Sequence, residues 1–207
     1  MLSRTRLLLI PLLTLLLLSL AGCVTFERTP LPLACDARLE GRWLPIANSA
    51  AEAAKLTADD HALVDEQCHA TISMSQTADK PARKAEVQAS GFELGGEHYL
   101  VLGEKDLTRL FAGSDTVSPR RTPGSSVTLV RYRIDGDILK LETIDVDTVK
   151  RMVDQKELSA RTQDQLNYVI PGDEAQLREV LLKHPGLFGQ GKAPPMTMRR
   201  APAMDKP

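Results

Sequence analysis

Three cysteines carry most of the reactive chemistry available to this chain: Cys23, Cys35 and Cys68. A thiol can be acylated, oxidised or coordinated to a metal, and its surroundings decide which. Cys23 closes the stretch Leu20-Ala21-Gly22-Cys23, directly behind a leucine-rich run. Cys35 and Cys68 lie further on, and neither belongs to a C-x-x-C pair. With Cys23 modified, the other two remain as partners. They either form a disulfide, worth roughly 3–4 kcal/mol for a loop of that size, or pack as two buried free thiols. The disulfide is the expected outcome.

The other reactive types are dispersed. His61, His69, His98 and His184 show no metal-ligand spacing. Asp135, Asp137, Asp145 and Asp147 cluster, but the glycine and distal glutamate of a calcium loop are absent, so turn and helix-capping duties account for them. Ser125-Ser126 lacks the G-x-S-x-G elbow. Gly95-Gly96 lacks the further glycine and lysine of a phosphate loop. Arg199-Arg200 reads as solvated tail charge. No catalytic, cofactor-binding or metal site is expected, and the chain is read as a non-enzyme.

Residues 1–22 explain Cys23. MLSRTR carries two arginines and no acid, and LLLIPLLTLLLLSL follows. A positive start, then an apolar run too short for a comfortable span, describes an export signal that is removed. Together with Leu-Ala-Gly-Cys it resembles the lipobox of bacterial lipoproteins. The resemblance implies that Cys23 receives a diacylglyceryl group, becomes the first residue after cleavage, and is acylated on its new amino group. Several acyl chains hold a protein stably on a bilayer, at about 0.8 kcal/mol per buried methylene. Val24, where an aspartate would favour retention at the inner membrane, implies the outer membrane, facing the periplasm. That compartment permits disulfides.

Of the 26 basic and 27 acidic residues, Arg4 and Arg6 leave with the signal, so the remaining chain has 24 against 27, a formal charge of −3. Nucleic-acid binders concentrate basic charge, and this chain does not.

Prolines at 30 and 32 mark residues 23–34 as a lipidated tether. Residues 35–188 read as a single globular domain, and 189–207, without periodicity, as a disordered tail. Within the domain, Leu39–Ile46 forms a first strand whose Gly41-Arg42-Trp43 resembles the start of lipocalin-type barrels. Residues 68–76 alternate as a strand. Gly95-Gly96 joins two strand-like runs. Leu107, Leu110 and Phe111 suit one helical turn. Residues 125–145 form a hairpin around Asp135-Gly136. Two helices follow over 145–158 and 172–184, with a short strand at 168–170 between them. The fold class expected is α+β: an antiparallel β-sheet, able to curl into a barrel, with two short helices in the C-terminal third.

The stretch VRYRIDGDILKLETIDVDTVKRMV makes residues 125–188 similar to small uncharacterised bacterial lipoproteins, which supplies architecture and no activity. The functional expectation is therefore a non-catalytic, lipid-anchored envelope protein that binds a protein partner or a small apolar ligand. The alternatives are an immunity-type inhibitor of a toxic periplasmic enzyme and, furthest off, an envelope hydrolase.

Overall fold

The computed structural model describes residues 23–75, 82–111, 126–164, 167–189 and 194–202. The export signal at 1–22 lies outside them. The strands are β1 (Cys23–Phe26), β2 (Ala34–Cys35), β3 (Gly41–Ile46), β4 (His61–Val64), β5 (His69–Met74), β6 (Arg83–Gln88), β7 (Ser90–Leu94), β8 (Glu97–Gly103), β9 (Val127–Asp135), β10 (Ile138–Glu142), β11 (Arg161–Asp164), β12 (Asn167–Ile170) and β13 (Met196–Arg200). The helices are α1 (Ala50–Ala53), α2 (Glu104–Phe111), α3 (Val146–Asp154) and α4 (Glu174–Lys183).

Two meanders build most of the sheet. One runs β3-β4-β5-β6 and the other β7-β8-β9-β10, all antiparallel. They join on one side through β13, which pairs with both β10 and β3. On the other side β6 and β7 are successive halves of one bent run. Between them Ala89 donates its N–H to the carbonyl of Cys68 at 2.7 Å, after which the chain exchanges β5 for β8 as its partner. The result is mixed sheet and helix, with the antiparallel sheet strongly curled into a half-barrel.

β9 serves both faces of that sheet, and its sequence says so. A strand covered on both sides reads as a near-continuous apolar run, and Val127–Tyr132 has that character, with Leu129, Val130, Arg131 and Tyr132 all buried. Tyr132 and Ile134 face the inside of the half-barrel with Trp43, Val87, Leu139 and Met198. Leu129, with Tyr99 and Val101 of β8, faces outward into a second core with Phe26, Ile170, Leu177, Leu187 and Phe188. The late helices cover that outer face. Each starts on an aspartate that bonds a free amide of the first turn: Asp145 to Thr148 N, and Asp173 to Gln176 N, both at 2.9 Å. Gln176 returns the bond to Asp173 N, completing a capping box.

The β9–β10 hairpin, both late helices, the short strand at β12 and the strand carrying Trp43 form where the sequence places them. Strands β4 and β11 form where no strand is expected, and two expected segments differ. Residues 23–34 are no free tether: β1 lies parallel to β12 with Cys23 opposite Asn167, Val24 is buried and Phe26 is fully so. The prolines do not loosen the segment, and Pro30 itself is fully buried. The expected tail at 189–207 contains β13, the strand that closes β10 onto β3. Its residues, MTMRR, show no apolar alternation because only Met198 of the five is buried.

Candidate functional site

Cys35 and Cys68 form the expected disulfide, with their Cα atoms 5.6 Å apart. Cys68 has a positive φ of 59°, at the tight approach to β5. The bridge ties the end of β2 to that approach. Cys23 stands apart from the pair, at the first position of β1.

Beyond the disulfide begins a connected polar cluster. Asp36 caps a 3₁₀ turn, Ala37–Leu39, by accepting from Arg38 N at 3.0 Å. Its carboxylate also accepts from the Arg38 guanidinium at 2.7 Å and from the Tyr132 hydroxyl at 2.7 Å. Arg38 reaches on to the His98 ring, 3.0 Å from its Nε2. Leu39 offers its carbonyl to the Trp43 indole N–H at 2.7 Å. Arg200, on the last strand, lies over the Trp43 ring with its guanidinium carbon 4.1 Å from the ring centre. It also donates to the carbonyls of Arg38 and Glu40. Arg200 therefore clamps the tryptophan instead of projecting into solvent with a tail.

Electrostatics identifies what this cluster does. Burial works against the Asp36 charge, but hydrogen bonds from Arg38 and Tyr132 outweigh it and hold the carboxyl down to about 2. Burial, reinforced by the bond to Asp36, pushes the Tyr132 phenol well above its ordinary range. One partner stays an anion and the other a proton donor across the physiological range, so the pair works as a fixed latch. Residues 36–40 are thereby fixed to β8, β9 and β13.

A second buried pair lies on the outer face. Arg131 donates to Glu142 at 2.7 Å and to the carbonyls of Pro185 and Phe188 at 3.2 Å. It holds the chain after α4 against the sheet. Gly189 follows directly with φ 70°, and a β-carbon there would meet the Glu142 carboxylate at 2.6 Å.

The histidines remain apart from one another, and no set of three His, Cys, Asp or Glu among the described residues is placed to hold a metal ion. Asp145 is a helix cap, as expected, and Asp137 approaches Arg200 at 4.0 Å. Ser126 is buried, while Ser125 lies outside the described residues. Side chains fill the inside of the half-barrel, led by Trp43, Tyr132, Leu139 and Met198. Two depressions lie along α4, one of them open and lined by Ala175, Arg178, Glu179, Leu182 and Lys183. No helix among the described residues is long and apolar enough to cross a membrane.

Sequence reasoning missed the roles of Asp36, Arg38, Arg131, Tyr132 and Arg200. Only Asp36 carries a local signal, an aspartate ahead of a short helical turn. Arg38 bonds Asp36 locally but also reaches His98, and Arg131, Tyr132 and Arg200 act on partners further along the chain. No family model, curated protein or solved structure matches this chain.

Proposed function

We propose that this protein is a non-catalytic, lipid-anchored envelope protein facing the periplasm, carried on the outer membrane by an acylated Cys23 and binding a protein partner on its outer surface. The observation that carries the reading is the division of the cysteines. Cys35 and Cys68 are within disulfide geometry, which suits an oxidising compartment, and Cys23 is left at the end of the Leu-Ala-Gly-Cys motif. A protein partner is preferred to a small apolar ligand because large side chains occupy the inside of the half-barrel. Ligand sites usually enclose most of the ligand, and the depression lined by Ala175, Arg178 and Leu182 on α4 is open to solvent.

The test is Cys23→Ala in the full chain. Palmitate incorporation should disappear and the protein should leave the membrane fraction. Unchanged membrane association would end the anchor reading. For the partner, crosslinking of the anchored protein in its own envelope should give a discrete protein adduct. If the only specific capture is of an apolar small molecule, the ligand reading replaces it.

A further inference from the structure

Part of the half-barrel's outer face is used by neither core. Trp43, Leu139 and Met198 turn inward, and side chains alternate along a strand. Arg42 and Leu44 on β3, Ile138 and Lys140 on β10, and Arg199 on β13 therefore turn outward. Leu63 of β4 joins them: it stands opposite Arg42, and the next residue, Val64, packs inside. Leu44, Ile138 and Leu63 belong to neither core, and Leu63 is 49% exposed.

The cations of this face are set beside one another. Lys140 and Arg133 stand directly opposite on β10 and β9, with their β-carbons about 5 Å apart. Thr197 of β13 pairs with Lys140, and Arg199 lies two residues further along. Leu44 of β3 pairs with Arg199, and Arg42 lies two residues further in the same direction. The four cations form an oblique stripe across four adjacent strands. Arg133 has a carboxylate, Glu97 at 2.8 Å. Glu142, the acid on the outer face of β10, is taken by Arg131 at 2.7 Å. Among the described residues no carboxylate pairs with Lys140, Arg199 or Arg42, and the Arg42 Nε–H is buried without a hydrogen-bond partner. The whole chain carries 27 acids against 26 bases, so the stripe is a local segregation of charge. Like charges directly opposite destabilise a sheet. Carboxylates supplied from outside would relieve that repulsion and occupy the remaining donors.

We infer that the outer face of β10, β13, β3 and β4 docks an acidic protein surface, with Lys140, Arg199 and Arg42 pairing its carboxylates and Leu44, Ile138 and Leu63 packing against its apolar residues. The inference rests on the reading of this protein as the binder of a protein partner, and is independent of acylation at Cys23. Arginine among apolar side chains is the composition of a protein interface, and a guanidinium fork holds a carboxylate through two parallel bonds. Half-buried Leu44 and Ile138 suit contact with a partner's shaped surface more than insertion between acyl chains.

The experiment uses the full chain in its own envelope, with the photoreactive residue p-benzoylphenylalanine placed at Leu63 or, as a control on α4, at Lys183. Irradiation should give a protein adduct from position 63 that position 183 does not give, and the crosslinked peptide of the partner should carry aspartate or glutamate beside the adduct. In Lys140→Glu/Arg199→Glu, where both side chains are exposed, the unfolding midpoint should hold while the adduct yield falls roughly tenfold. Replacing the partner's mapped carboxylates by lysine should restore the yield. If the double variant unfolds early, Lys140→Gln/Arg199→Gln carries the same comparison. An undiminished adduct in a folded variant overturns the acidic chemistry. A protein adduct from 183 alone overturns this face and leaves the partner reading standing. Adducts from 63 confined to a second copy of this chain, or to phospholipid, overturn the assignment of the occupant. No protein adduct from either position overturns the partner reading and this inference with it.

Discussion

The two faces of β9 supply cores of different construction. Inside the half-barrel the residues vary in size, from Ala70 and Ala89 to Trp43, and the large rings are tied at their polar tips. The Trp43 indole bonds Leu39, the Tyr132 hydroxyl bonds Asp36, and a disulfide secures the segment that supplies both partners. Outside, Phe26, Leu129, Ile170, Leu177 and Leu187 are fully buried aliphatic and aromatic side chains with no polar tip. Apolar burial dominates that side, and it scales with area removed from water. The inner core depends on directional and covalent links. It should respond to oxidation state and acid, whereas the outer core should respond to side-chain size.

Phe26→Ala is the strongest test of the outer core, with an expected loss of about 3–5 kcal/mol in urea unfolding. A loss near zero would mean that β1 adds nothing to that core, and the contrast would fail. Replacing Cys35 and Cys68 together by serine should cost about 2–4 kcal/mol. The change should be visible in Trp43 fluorescence, since the bridge adjoins the 3₁₀ turn whose Leu39 carbonyl holds the indole. Tyr132→Phe should cost about 1–2 kcal/mol, because it removes a hydroxyl that donates to an ionised group.

Acid sharpens the same point. Asp36 has its folded pKa lowered to about 2 from 3.8. The stability it contributes is therefore complete above the unfolded value and lost as pH falls from about 4 toward 2. The loss should be on the order of 1–2 kcal/mol, moderated by solvent around the half-exposed Arg38. Unfolding of Asp36→Asn across that window should show a flatter acid limb than the parent. The smallest effect is expected outside: Asp173→Ala removes the cap of α4 and should cost about 1 kcal/mol by thermal or urea unfolding.

Legibility in the sequence followed the range of the interactions. The β9–β10 hairpin announces itself through Val, Thr, Tyr and Ile around Asp135-Gly136, and the capping aspartates of α3 and α4 lie within three residues of the amides they bond. β1 and β13 gave no such signal. Val24-Thr25-Phe26 is too short to show a period, and in MTMRR Arg199 meets solvent while Arg200, on the face of Met198, covers Trp43. Both are strands because distant partners offer them hydrogen bonds: Asn167–Ile170 for β1, and β3 with β10 for β13. Arg200 reads as a loose charge in sequence for the same reason, since the ring it covers lies at Trp43. The disulfide was legible because the lipobox-like setting of Cys23 sets that residue apart and leaves one pair of cysteines. The Asp36–Tyr132 latch was not, because ninety-six positions separate its members.

The pairing of β13 with β3 also sets a timetable. Residues near 200 insert between β10 and β3, so a chain emerging N-terminus first has no complete sheet until almost its whole length is available. Contacts of such long sequence separation slow folding. A polypeptide threaded through a narrow pore would reach the far side before the last ladder could close, with the edges of β3 and β10 open in the interval. Such unpaired edges are where a chaperone, or a second unfinished chain, would attach.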